Sequence, residues 1–394
     1  MSARIAIIGC GNIGTKHAFG LRAAGANIVA AVARSAESKI KIVNDISVPV
    51  FATVREMFHE CVLDAVVVSS PNYTHSSYTL EALRSGCHVL CEKPLAISSH
   101  DAQQMWQTSI AAGKCLMVAY NLRFARNTRI AAALCEEGRL GRILHAKCGW
   151  VRRRSIPGLG KWFTRRDLSG GGAMIDAGIH PLDLAWFLMG RPTPLSVSAS
   201  TKSLFANRIE DYQYEKMWAG PVDLTGQMDV EDSCTAFIRF TNGATLQLEV
   251  AWATNGPESD CYCTLFGEDG GIAWSKSGEL DYFDANGKES TICQQSPIGV
   301  WGTQGRIGKL ARRLLQMGKG KTDAVIPGLP HYFPTMHQHF LQCVNGADCL
   351  SPARDGYILQ CLLEAIYESA RESREVPVNI SIPRSTIRLD TLKA

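Results

Sequence analysis

The sequence predicts an α/β half over residues 1–122, followed by an α+β half on a largely antiparallel sheet over 123–394. Three observations predict this. Short apolar runs alternate with helical patterns through the first half. Beyond about Leu122, strand candidates follow one another at hairpin-like spacing. A glycine-rich turn joins the first strand candidate to the first helix candidate.

In the first half, Arg4–Ile8, Ile28–Val32, Ala65–Ser69, Val89–Cys91 and Leu116–Ala119 read as strands, and Ser76–Ser85 and Ser99–Ala112 as helices. Apolar strands separated by helices indicate a parallel sheet covered on both faces. In the second half, Ile143–Val151, Ser196–Thr201, Cys234–Phe240, Thr245–Trp252 and Cys261–Phe266 read as strands. Asn242-Gly243 marks a tight hairpin between two of them. Pro334–Asn345 and Asp355–Glu372 read as closing helices. Residues 202–228 look like an insertion. Residues 302–322 are glycine-rich and basic and read as a loop with a short helix.

Composition narrows the function classes. A chain of 394 residues, 46% apolar and 20% charged, has the balance of a globular protein of two domains. A net charge of +4 is too mild to indicate nucleic acid as a partner. No segment reads as a signal peptide or membrane span, so the expected location is the cytoplasm. The 14 cysteines are scattered, without paired CxxC sets, which points to reduced thiols and to no metal site. His331, His337 and His339 lack ligand partners at matching spacing and read as packing or hydrogen-bonding residues.

Gly9-Cys10-Gly11-Asn12-Ile13-Gly14 follows the first strand candidate and opens a helix. One glycine makes the tight turn, one lets a pyrophosphate approach the backbone, and one lets helix and strand pack closely. The helix N-terminus turns its unpaired N–H groups to the phosphate. Strand, turn, helix and second strand lie within about 30 residues, as the dinucleotide fingerprint requires. The first half is therefore read as a Rossmann dinucleotide-binding domain. An acid usually ends its second strand, where it binds a ribose 2′-hydroxyl. Here that end reads Ala33-Arg34-Ser35, and the nearest acid is Glu37. Arg34 is placed to meet a 2′-phosphate, with Ser35 beside it, so NADP is favoured over NAD.

Three further segments complete a pattern. Ser69-Ser70-Pro71-Asn72-Tyr73-Thr74-His75 ends the third strand candidate, Glu92-Lys93-Pro94 ends the fourth, and Gly170-Gly171-Gly172 leads into Asp176-Ala177-Gly178-Ile179-His180. With the glycine turn, this set resembles the Gfo/Idh/MocA oxidoreductases, the glucose–fructose oxidoreductase and inositol dehydrogenase family, over nearly the whole chain. Val230-Glu231-Asp232 and Asn242-Gly243 fit the same pattern.

The resemblance implies a Rossmann domain joined to an open-faced β-sheet domain, with a nicotinamide cofactor between them. It implies Lys93, Asp176 and His180 as catalytic residues. Joined with the glycine turn and the end of the second strand, it puts Gly9, Gly11, Asn12, Ile13, Gly14, Arg34, Ser35, Ser70, Pro71, Asn72, His75, Glu92, Lys93 and Asn121 around the cofactor, Arg34 and Ser35 by their position rather than by the resemblance. Arg123 and Trp162 would join Lys93, Asp176 and His180 at the substrate. The chain departs from the NAD-using pattern at Ala33-Arg34.

The chemistry suits these residue types. Oxidising a secondary alcohol removes a hydride, which the cofactor takes, and a proton, which the protein must accept. Imidazole titrates nearest neutrality, and an ammonium can stabilise a developing oxyanion. Asp176 and His180, four apart, share one face if the segment is helical, where the carboxylate would orient the imidazole and tune Lys93. Taken singly, Lys93 reads as a solvated loop lysine, His180 as a core histidine and Asp176 as a helix cap. The expectation is an NAD(P)-dependent dehydrogenase or reductase acting on a secondary alcohol or ketone of a sugar, cyclitol or sugar derivative. An NAD-dependent glycosidase and a non-catalytic nucleotide- or ligand-sensing regulator are rival uses of the same scaffold. The basic run from Arg306 to Lys321 reads as a solvated face or subunit contact rather than a phosphate site. A homo-oligomer, dimer or tetramer, is expected from the open sheet.

Overall fold

The computed structural model describes residues 2–205, 208, 212, 219, 222–293 and 332–382. The basic segment 306–321, His331 and much of 202–228 lie outside the described residues.

The first sheet has six parallel strands: β1 (Arg4–Ile8), β2 (Asn27–Val32), β3 (Val50–Phe51), β4 (Ala65–Val68), β5 (His88–Cys91) and β6 (Leu116–Val118). Their order is β3-β2-β1-β4-β5-β6. Ile5–Ile8, Ala65–Val68 and Val89–Cys91 are wholly buried, as strands covered on both faces must be. Burying each larger aliphatic side chain contributes about 1.5–3 kcal/mol. The order reverses between β1 and β4, which opens a crevice at the carboxyl ends of the strands.

The second sheet has nine strands: β7 (Ile143–Val151), β8 (Pro194–Lys202), β9 (Ser233–Phe240), β10 (Thr245–Ala251), β11 (Tyr262–Gly267), β12 (Gly270–Ser275), β13 (Leu280–Asp284), β14 (Glu289–Cys293) and β15 (Val376–Pro377). The order is β14-β13-β12-β11-β7-β10-β9-β8-β15. Only β7 and β10 pair in parallel. Burial alternates along β9 and β10, so one face is covered and the other open. The helix Ile179–Leu188, nearly all buried, packs on β7 and β11 from the covered side. On the open side, Ser198, Thr235, Gln247 and Tyr262 line a depression of about 570 Å³. Among the described residues, no helix is long and apolar enough to cross a membrane.

The two-sheet architecture is the one expected, with differences in detail. β3 is only two residues long and carries no period to read. The sheet extends through β12, β13 and β14, which the sequence reading missed. Their turns were signalled by Ser277-Gly278 and Asn286-Gly287, where both glycines take positive φ. The closing helices begin slightly earlier than expected, at Tyr332–Val344 and Ala353–Glu372. They also return to the first half. One packs on helix Asn12–Ala23, the other on helix Ser99–Ala111 and on β8.

Arg123 lies where these parts meet, fully buried. Its guanidinium donates to both carboxylate oxygens of Asp183 and, at 2.6 Å, to Asp355. It also donates to the Leu350 carbonyl and lies against the rings of Tyr120 and Phe187. Burial works against the charge, but the two carboxylates more than offset it and raise the guanidinium pKa. Removing it leaves two buried carboxylates, of which Asp355 keeps Arg191. Arg123→Leu should therefore cost about 3–5 kcal/mol, the usual penalty for breaking a buried pair from one side. Urea denaturation of the variant and the parent decides this; a loss below about 1 kcal/mol would mean that the buried pair contributes little.

Candidate active site

A cavity of about 690 Å³ opens at the carboxyl ends of β1, β2, β4 and β5. The glycine turn forms its floor. Gly9 takes φ +95°, and a side chain there would strike the Ser70 backbone. A side chain on Gly14 would collide with the Gly9 carbonyl, so the first helix can lie close to β1. Gly11 has open space above it, and it begins helix Asn12–Ala23 without a side-chain cap or an acid in the first turn. Gly9 and Gly14 thus make the tight turn and the close helix–strand packing expected of them. The uncapped N-terminus and the open space fit a dinucleotide pyrophosphate.

Gly9, Gly11, Asn12, Ile13, Arg34, Ser35, Ser70, Pro71, Asn72, His75, Glu92, Lys93, Trp162 and Asp176 all line this cavity. Arg34 is exposed at its rim and donates to the Tyr73 hydroxyl at 2.9 Å. Asn72 donates to the Ser169 carbonyl and so ties the turn after β4 to the second half. His75 spans the Pro94 and Ser70 carbonyls; burial lowers its pKa. Trp162 stacks on Phe163 at 3.7 Å in the opposite wall. Gly14, Asn121, Arg123 and His180 are not among the lining residues. Arg123 is held away from the cavity by Asp183 and Asp355, and Asn121 is the first residue of a short 3₁₀ turn after β6.

The reacting end is built from both halves. The Lys93–Pro94 peptide bond is cis. The Lys93 ammonium donates to the Asp176 carbonyl at 2.8 Å and to its Oδ1 at 3.1 Å. An ammonium has three N–H donors, so one remains for a substrate oxygen. Asp176 Oδ2 accepts from Trp252 Nε1 at 2.9 Å, with the Arg152 guanidinium 3.9 Å away. Burial pushes the Asp176 carboxyl up, but Lys93, Arg152 and the Trp252 hydrogen bond outweigh it and hold the group below its usual range. Glu92 behaves alike. Burial pushes it up, while His17, hydrogen-bonded at 2.8 Å, and Lys93 bring it below the usual value. His17 is bonded in turn to His337 on a closing helix.

Asp176 lies in a π turn, Met174–Gly178, that runs directly into helix Ile179–Leu188. Such single wide turns collect at functional sites. The glycines before it allow close approach. A side chain on Gly172 would collide with the Glu231 carbonyl, and one on Gly171 with the Tyr367 hydroxyl. The buried Glu231 carboxylate accepts from the Gly172 and Met174 N–H groups and from Tyr367. That fixes where the π turn begins.

His180 is half-buried at the end of this turn, edge-on to Trp150 at 6.0 Å. The Arg152 guanidinium and Lys276 ammonium each lie 3.9 Å from the Trp150 ring. Burial first, then Lys93, Lys276 and Arg152, hold the imidazole well below its ordinary pKa of 6.5. It is therefore neutral at physiological pH. Asp176 is engaged by Lys93, Trp252 and Arg152, so its orienting work falls on Lys93 rather than on the imidazole. Trp150, Arg152, Trp252, Lys276 and His17 were missed from the sequence, since each lies far along the chain from the motifs it meets. Lys93 and Asp176 should therefore act as one unit. Lys93→Ala and Asp176→Asn should each slow turnover by roughly 10²–10⁴. Together they should lose far less than the product. Rate constants for the two variants and the double variant check this, and multiplicative losses would mean independent roles.

A Rossmann crevice in which a lysine at the end of a first-sheet strand meets a carboxylate from the second half defines a nicotinamide-dinucleotide oxidoreductase. The chain belongs to the Gfo/Idh/MocA oxidoreductase family. Residues 3–120 match the family's NAD-binding Rossmann fold, and residues 128–273 match its C-terminal domain. Among curated relatives, D-glucoside 3-dehydrogenase of Escherichia coli is 32% identical over 79% of either chain. Myo-inositol 2-dehydrogenase of Thermotoga maritima is 30% identical over 61% of this chain and 66% of its own. A solved structure of levoglucosan dehydrogenase in complex with NADH and levoglucosan superposes with a TM-score of 0.78. It is 20% identical, over 96% of this chain and 100% of that one.

Proposed function

We propose that the protein interconverts a secondary alcohol and a ketone on a sugar, cyclitol or sugar derivative. The Lys93–Asp176 contact carries this reading, because it sets an ammonium donor at the inner end of a dinucleotide-sized cavity. The names glucoside 3-dehydrogenase, myo-inositol 2-dehydrogenase and levoglucosan dehydrogenase among the similar proteins support the substrate class. When bound, the nicotinamide supplies or accepts the hydride.

The chain's own residues manage the proton and the charge. The free N–H of Lys93 donates to the substrate oxygen and stabilises it as negative charge develops. Asp176 holds the ammonium in place. His180, neutral and beside Trp150, lies just outside the cavity lining; on this reading the bound substrate reaches past Asp176 to the imidazole, which accepts the proton in oxidation and returns it in reduction. Because burial and three cations depress its pKa, protonation disables it only well below pH 6.5. The acid limb of the kcat profile for alcohol oxidation should lie there, and His180→Asn should remove it. A limb at or above pH 6.5 that persists in His180→Asn would take His180 out of the proton path. Net accumulation of reduced nicotinamide separates this reaction from a transient oxidation that ends in glycosidic elimination.

For the cofactor we propose NADP(H) ahead of NAD(H). The support is Arg34 at the rim, with Ser35 beside it. Glu92 and Asp176, the acids lining the cavity among the described residues, are both engaged at the inner end. Arg34→Ala should weaken NADP(H) binding about tenfold, near 1.4 kcal/mol, and leave NAD(H) nearly unchanged. Calorimetric titration with both nucleotides checks it; tighter NAD(H) binding that is indifferent to Arg34 would reverse the preference. A cytoplasmic homo-oligomer, a dimer or tetramer joined through the open sheet face, belongs to the same reading.

A further inference from the structure

At the amino end of the first sheet, opposite the nucleotide crevice, the fold gathers three cysteines. Cys115 immediately precedes β6, Cys343 lies on the closing helix Tyr332–Val344, and Cys349 follows in the next loop. Their sulfurs lie within 4.8 Å of one another, the sole such group of three among the described residues. The Cys343 thiol donates to the Asp348 carbonyl at 3.7 Å, in the loop that carries Cys349. His339, one turn before Cys343, brings its Nε2 to 3.4 Å from the Cys343 sulfur. We propose that Cys115, Cys343, Cys349 and His339 form a structural zinc site that clamps the closing helices to the edge of the nucleotide-binding sheet.

The spacings suit a tetrahedral ion. With Zn–S near 2.3 Å and Zn–N near 2.0–2.1 Å, ligands in a tetrahedron stand about 3.8 Å (S···S) and about 3.5 Å (S···N) apart. The three sulfurs, all within 4.8 Å of one another, need draw in by no more than about an ångström to reach the first separation. The His339–Cys343 distance matches the second, while Nε2 stands farther than 4.8 Å from at least one of the other sulfurs and must swing in to complete the tetrahedron. Three thiolates and an imidazole form a donor set that selects zinc over hard cations. On binding, the thiols release their protons to solvent.

The backbone prepares the cluster. Gly346, at φ +96°, lets the chain reverse after the helix, and Gly346 and Ala347 donate to the Cys343 and Gln342 carbonyls. Ser351 then pairs with Val118, the last residue of β6, through backbone and hydroxyl, which ties the loop to this edge strand. Cys115 is positioned by its own N–H, which donates to His88 Nδ1. In the metal-free arrangement His339 Nε2 accepts the Leu350 N–H at 2.9 Å, and the ion replaces that donor when it binds. Cysteine packing elsewhere is different. Cys148 and Cys263 are opposed across β7 and β11, but they gather no imidazole and no third sulfur into a group of this kind.

The test uses the full chain, purified with reductant and without chelator. Metal analysis should find one zinc per chain. Cobalt(II) added to the stripped protein should give thiolate-to-cobalt charge-transfer absorption and the strong visible bands of tetrahedral cobalt. Cys343→Ser and Cys349→Ser should lose both signals. His339→Ala should alter the visible bands and keep the charge-transfer band. Stripping the zinc should lower the melting midpoint by about 5 °C or more while nucleotide affinity stays within about twofold. The proposal is overturned if the reduced parent protein holds below about 0.1 zinc per chain and shows no charge-transfer band with cobalt. Zinc retained in both serine variants overturns it too. So does a disulfide between two of the three cysteines in the protein as purified, with no metal bound.

Discussion

A guanidinium with no exposure to water must find its counter-charges inside the protein, and Arg123 finds them on two separate helices. This demand shapes the molecule. Asp183 is one turn past His180 on the same helix, so bonding Arg123 to Asp183 fixes the height and rotation of that helix against the first sheet. Asp355 opens the last helix and is fixed from the same guanidinium. A buried ion pair is seldom more stable than a well-packed apolar replacement. Its value here is geometric: it permits one relation between the two sheets, and the lysine–carboxylate contact needs that relation.

The contact itself shows why the surrounding residues are what they are. Lys93 comes from the end of β5 and Asp176 from a π turn, so a shift of an ångström between the sheets would break both hydrogen bonds. The π turn is held at its start by Glu231, which collects two backbone N–H groups and the Tyr367 hydroxyl. Trp252 closes the other side of Asp176. Asp176 is held by partners inside the protein and in turn holds Lys93, so substrate meets a charge that is already oriented. Burial, and then the charges of Lys93, Lys276 and Arg152, keep His180 unprotonated, and the same three cations favour electron-rich oxygen in the substrate.

Much of this was legible in the sequence because it is local. The glycine turn, the two motifs at strand ends and the glycine-rich run before Asp176 each lie within a dozen residues. Gly9, Gly14, Gly171 and Gly172 are explained by close approaches that the structure shows. What failed to show was non-local. Arg123 follows β6 in a segment where the resemblance places a substrate-binding arginine, and only Asp183 and Asp355, far along the chain, reveal its buried role. The four-residue spacing of Asp176 and His180 suggested that one orients the other. The widened turn and the pull of Lys93 and Trp252 direct the carboxylate elsewhere. The scattered cysteines gave no ligand spacing because two sequence-distant segments bring the three together.

The closing helices make the first half depend on the end of the chain. Gly20, on the first helix, has no side chain because His337 occupies that space; a Cβ there would collide with the imidazole ring. His337 in turn holds His17, and His17 holds Glu92 beside Lys93. A residue on a closing helix thus reaches the active site through two imidazoles and a carboxylate. The nucleotide-binding sheet also receives Ser351 and Pro352 along β6. Removing residues 332–382 would expose the face of helix Asn12–Ala23, unpair the edge strand and release Glu92 from its chain of hydrogen bonds. The first sheet has the strand order of an independent nucleotide-binding domain, yet its chemistry is completed by helices encoded more than two hundred residues later.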